Sequence, residues 1–191
     1  MTTRDDLLRA CTELIAEQGA AALSLRQVAE RVGIKAPSIY VHFASKQALL
    51  AAASEVAAAA LADFLRAADP GGDDPRARLL ATALAYLGFA EVRPPLFALL
   101  FLELLSERRS LADAPAAGSP YRLLLARVAD FLGDAHPQAE MLGFGIWSLV
   151  HGAAVLRLTH LRDFAGPIVE GTRLNLERLL DGWHPPATTP A

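Results

Sequence analysis

The chain has 191 residues, 53% of them hydrophobic, and a formal net charge of −3. Abundant alanine and leucine with few β-branched residues favour helices over sheets, and the length supports one sizeable core or a small module joined to a larger domain. The acidic balance excludes nucleic-acid binding driven by overall charge. The single cysteine, Cys11, excludes an intrachain disulfide and fits a reducing cytoplasm.

In chain order, Thr3 is positioned to cap a first helix, with Asp5 and Asp6 near its positive end. Leu7, Leu8, Cys11, Leu14 and Ile15 share one face at helical spacing, and Gly19 stops the helix. The acidic pair and amphipathic pattern do not suit a signal peptide. Ser24 caps a second helix, Leu25 to about Val32, whose inward face is Val28, Ala29 and Val32 and whose stop is Gly33. A third begins near Ala36 with Pro37 in its first turn, where a missing N–H costs nothing. Ser45 caps a fourth that runs to about Ala68, and DPGGDDP at 69–75 is the clearest break.

Five further helices are expected: Arg76–Val92; an apolar, buried Pro94–Arg109; then, after a loop at Ser110–Pro120, Tyr121–Leu132, Gln138–Leu161 and Pro167–Gly182. Residues 183–191, with three prolines, are expected to form a disordered tail. The apolar run Leu96–Leu102, interrupted by Glu103, is too short to span a bilayer, so no membrane partner and a cytoplasmic location are expected.

The region 24–46 carries the chemistry. Two short helices joined at Gly33 form a helix-turn-helix pattern, whose second helix enters the DNA major groove. Ile34, Ile39 and Phe43 serve as its docking face, while Lys35, Ser38, Tyr40 and His42 offer donors to phosphates and base edges. Lys35 and Lys46, the only two lysines in the chain, bracket this helix. Residues 1–50 carry six Lys+Arg against five Asp+Glu, so any basic footprint is local.

The stretch SLRQVAERVGIKAPSIYVHFASKQALL, 24–50, preceded by a helix ending in EQG, resembles the DNA-binding domain of the TetR family of transcriptional regulators. Its most specific part is Tyr40, His42, Phe43, Ser45 and Lys46. The resemblance implies an all-α subunit with a three-helix helix-turn-helix domain at 1–46 and a larger ligand-binding and dimerisation domain at 47–182. It implies a homodimer on a palindromic double-stranded operator, repressing by default and released by a small apolar or amphipathic effector. Carried over residue by residue, Ser24 and Arg26 face phosphate or a base edge, and Lys35, Ala36, Pro37 and Ser38 enter the major groove. Tyr40 and His42 touch phosphates, as does Lys46 at a helix N-terminus that already favours anions.

The strings WSLVHGAAVLRL, 147–158, and RPPLF, 93–97, resemble a Trp-His-Gly (WHG) class of C-terminal domain within that family. An effector pocket is expected among Tyr86, Phe89, Phe97, Phe101, Tyr121, Phe144 and Trp147, with Glu103 and His151 as polar anchors; the competing reading makes these rings simple core. Gly143, Gly145, Gly152, Ala153 and Ala154 would let the helix 138–161 pack closely in a dimer, with the last helix beside it. The five histidines show no metal-ligand spacing and no close cysteine, and no phosphate-binding glycine loop is present, so neither enzyme activity nor a cofactor or metal is expected. The competing function is a helical small-molecule binder without DNA binding, which a duplex-binding assay separates.

Overall fold

A computed structural model describes residues 3–103, 118–133 and 136–183, without the side chains of Leu102 and Glu103. All regular structure among these residues is helical: α1 (Thr3–Gln18), α2 (Leu25–Val32), a 3-10 helix (Ala36–Val41), α3 (Lys46–Ala67), α4 (Pro75–Val92), α5 (Pro94–Ala98) continued by a π-helical turn (Leu99–Glu103), α6 (Pro120–Leu132), α7 (Ala139–Leu158) and α8 (Ile168–Asp181). The chain divides into two compact units, 1–60 with 92–114 and 61–91 with 115–191.

In the first unit α1 packs against α2 and α5, and α2 packs against the 3-10 helix. Leu7, Ala10, Cys11, Leu14 and Ile15 supply the buried face of α1, a spacing that repeats every three or four residues. Leu8, expected on that face, is half-buried at its edge. Leu49, Ala53 and Ala57 of α3, four residues apart, complete the core. Burial pushes the Cys11 thiol up to about 12 against the pull of Lys46, so it stays a protonated, inert packing group.

The second unit begins with the last turns of α3, where Leu61, Ala62 and Leu65 are buried. Here α7 packs against both α6 and α8. The loop after α3 is pinned by Asp69, whose carboxylate accepts hydrogen bonds from Arg78 (2.9 Å), Arg127 (2.7 Å) and the backbone N–H of Gly71 (3.0 Å). These donors hold its pKa down to about 2. Arg157 closes the end of α7 by donating to the carbonyls of Arg162 and Phe164, both at 3.2 Å.

Several boundaries differ from the sequence reading. The apolar segment after Pro94 is not one regular helix: α5 widens into the π turn at Leu99, and residues 104–117 lie outside those described. The helix expected to reach Leu161 ends at Leu158, and Arg157 donates to the carbonyls of Arg162 and Phe164 in the segment that follows. The tail beyond Trp183 lies outside the described residues. By length and composition α3 and α7 could each cross a membrane. The mid-chain run at Leu96 did not reveal this, because their apolar character comes from many alanines and small residues rather than one long block.

Candidate nucleic-acid interface

The interface is assembled by local chemistry. Ser24 opens α2 through a reciprocal capping box: its Oγ accepts from the N–H of Gln27 (3.2 Å), and the Gln27 Oε1 accepts from the N–H of Ser24 (2.8 Å). Gly33 closes α2 in the left-handed region, φ 78°, where a side chain would be strained. The N–H of Gly33 then donates to Glu30 (3.2 Å) and that of Ile34 to Ala29 (3.0 Å), turning the chain sharply into the next helix.

That helix is 3-10 rather than α, with Pro37 in its first turn. In 3-10 geometry residues three apart eclipse one another, so the helix has three faces. Ala36, Ile39 and His42 form one, with Ile39 fully buried and its two neighbours half-buried. Pro37 and Tyr40 form the second and Ser38 and Val41 the third, and all four are exposed. Phe43 then turns inward, 4% exposed, and the Arg4 guanidinium lies 5.0 Å from its ring centroid. A buried anchor of Ile39 and Phe43 thus holds out two open faces.

Of the remaining predicted contacts, the side chains of Arg26 and Lys46 have partners of their own. Arg26 is exposed, and its Nε donates to Glu30 (2.8 Å). Lys35 is exposed just ahead of the 3-10 helix, and its carbonyl accepts from the N–H of Ser38 (2.9 Å). Ser45 caps α3 by accepting from the N–H of Ala48 (3.1 Å). The Lys46 ammonium is half-buried and donates to the carbonyl of Leu23 at 2.5 Å, tying the start of α3 to the loop before α2. Sequence reasoning missed Val41, 80% exposed, because it searched this helix for hydrogen-bond donors and for four-residue spacing. Counting in threes would have found it.

The predicted effector residues divide between the units. In the second unit Tyr86, Tyr121, Trp147 and His151 come together. Tyr86 Oη lies 2.9 Å from His151 Nδ1, Trp147 Nε1 donates to Tyr86 Oη at 3.5 Å, and the Tyr121 and Trp147 rings are 5.5 Å apart. Burial lowers the His151 pKa and raises that of Tyr86, so both side chains are neutral near pH 7. Phe89 is fully buried with its ring edge against Phe64, centroids 5.6 Å apart, while Phe144 stands exposed on α7. In the first unit the Phe97 and Phe101 rings are tilted against each other with centroids 4.8 Å apart. The side chain of Glu103 lies outside the described residues.

Two open hollows lie among the described residues, and none of the predicted effector residues lines either. One of about 640 Å³ lies in the first unit beside Ser45 and Lys46, among Ala20, Ala21, Leu50 and Leu99. The other, about 430 Å³, runs between α7 and α8 past Gly152, Leu156, Leu161 and Ile168. A Cβ at Gly152 would meet nothing within 4 Å in the subunit, so this stretch of α7 is open within the subunit.

A helical protein with a capped helix, a left-handed glycine turn and a docked second helix is of the helix-turn-helix class. Residues 7–53 match the family model described as bacterial regulatory proteins, tetR family, and residues 79–181 match that of the tetracyclin repressor-like C-terminal domain. The chain belongs to the TetR family. It is 37% identical over 81 residues to the class A tetracycline repressor protein from transposon 1721 of Escherichia coli, a match covering 42% of this chain and 36% of that protein. The class C tetracycline repressor protein of Escherichia coli is 40% identical over 52 residues, 27% of this chain and 24% of that one. The chain thus spans about a third or less of the curated relatives it matches.

Among solved structures, a protein of unknown function from Rhodococcus sp. RHA1 is similar with a TM-score of 0.74 and 26% identity, covering 96% of both chains. A tetR-family transcriptional regulator from Streptomyces coelicolor follows at 0.70 and 21%, covering 93% of this chain and 78% of that one. A TetR variant from Acinetobacter baumannii AYE in complex with minocycline gives 0.63 and 23%, covering 92% and 93%. The latter two show the shared fold.

Proposed function

We propose that the protein is a transcriptional repressor that binds a palindromic operator as a homodimer and is released by a small-molecule effector. The observation that carries the reading is the 3-10 helix with one buried and two exposed faces, set behind a capped α2 and flanked by Lys35 and Lys46. On this reading residues 1–46 are the DNA-reading module and 47–182 serve effector binding and dimerisation. Lys35, Ala36, Pro37 and Ser38 meet base edges, while Ser24, Arg26, Tyr40 and His42 position the module on the backbone. Lys46 serves by holding the loop that carries Ser24, with its cation still beside the α3 N-terminus.

Dimerisation is supported by apolar side chains exposed on the last two helices, Met141, Phe144 and Leu156 of α7 and Val169 and Leu174 of α8. The effector reading rests on Tyr86, Tyr121, Trp147 and His151, an aromatic cluster with neutral polar tips suited to a flat, uncharged or amphipathic molecule. An effector releases DNA only through different affinities for two subunit arrangements.

Selection of bound duplexes from a random pool tests the reading with the full chain. Recovery of an inverted repeat with half-sites about one helical turn or more apart is expected. Failure to enrich any duplex would overturn it in favour of a helical binder without DNA function.

A further inference from the structure

We infer that Val41 is a specificity-determining residue that reads the 5-methyl group of a thymine in the operator; the inference rests on the DNA-binding reading above. Val41 is the most exposed of the large hydrophobic side chains among the described residues, at 80%. Single exposed hydrophobics are ordinary on protein surfaces, but this one stands on a helix whose opposite face is anchored by fully buried Ile39. It eclipses Ser38, one turn earlier, so both project from the same open face.

Chemistry narrows what this side chain can contact. An isopropyl group has no donor, so it adds nothing to phosphate binding. In the major groove the one apolar group on a base edge is the thymine methyl. Three residues of 3-10 helix advance about 6 Å, so Val41 reaches one or two base steps beyond Ser38. Its branched Cβ restricts χ1, so little side-chain freedom is lost on contact. The residues nearest in sequence, Tyr40 and His42, belong to the other two faces.

The test starts from the duplex recovered by selection. Each thymine is replaced in turn by deoxyuridine, which removes only the methyl, and binding is measured for wild type and Val41→Ala. For wild type, the thymine that Val41 reads should matter in each half-site, with affinity falling about fourfold for one half-site and about fifteenfold for both. Val41→Ala should bind the original duplex with a similar loss and show no further loss at that thymine. The other thymines should behave alike in both proteins, and the variant should unfold at the wild-type urea midpoint because the side chain is exposed. If every thymine is indifferent in wild type, or the sensitive one stays equally sensitive in Val41→Ala, the inference is overturned while the DNA-binding reading stands. If no duplex is bound by wild type, both fall.

Discussion

Lys46 shows how a single residue changes meaning once its partner is known. Its ammonium donates to a backbone carbonyl 23 residues away. Lys46→Ala therefore leaves the Leu23 carbonyl without its charged donor and is expected to destabilise the fold by roughly 1–2 kcal/mol, measured by urea unfolding. Tyr40→Phe separates the two roles cleanly. The ring is 58% exposed, so stability should move by less than about 0.5 kcal/mol while affinity for the selected duplex falls. Unchanged affinity would remove Tyr40 from the contact set. For Cys11, burial and a raised pKa predict slow reaction with thiol reagents in the folded protein and fast reaction after unfolding.

At the scale of elements, the second helix and its turn depend on two local devices. Gly33→Ala places a Cβ at φ 78°, and about 1–2 kcal/mol of stability should be lost, read as a lower urea midpoint. Few cations flank the 3-10 helix. Lys35 is exposed, Arg26 is shared with Glu30, and Lys46 is engaged with Leu23. From two protomers, Lys35 in the groove and Arg26 on the backbone bring about four cations to the duplex and displace about as many counterions, so log affinity should fall with log salt at a slope of roughly −4. A slope near −8, measured by titration at several salt concentrations, would mean that further cations take part. The loop after α3 has a pH signature. Asp69 drops from 3.8 to about 2 on folding, so its contribution is present above about pH 4 and is lost as pH falls toward 2. Asp69→Asn should lower the melting temperature at pH 7 and flatten its decline across that window.

For the whole molecule, the assembly reading turns on the open apolar surface of α7 and α8. Leu156 is 45% exposed beside the hollow that contains Gly152. Leu156→Glu should leave helix content intact but yield monomers in sedimentation at micromolar concentration, with loss of binding to the inverted repeat. A variant that still sediments as a dimer would place the interface elsewhere. Effector response is expected to change in Tyr86→Phe, which withdraws the hydroxyl linking Trp147 and His151, with operator affinity of the unliganded protein retained.

The local grammar of the fold was legible in the sequence. Ser24, Gly33, Pro37 and Ser45 act on neighbours within a few residues, so their chemistry determined where three helices start and where one stops. The buried face of α1, and Ile39 and Phe43 as anchors, also followed from spacing. Contacts that bridge distant residues were not legible: Lys46 with Leu23, Tyr86 with His151 65 positions away, and the convergence of Arg78 and Arg127 on Asp69. The faces of α7 were not legible either, because a helix apolar on every side has no periodicity to read, and only packing turned Phe144 outward and Ile146 inward. Sequence alone determined an all-α chain opening with a helix-turn-helix, since capping and turn chemistry are local. Tertiary structure decided that the helix after Gly33 is 3-10, and with it which side chains stand free, because the docking of Ile39 and Phe43 sets the faces that remain open.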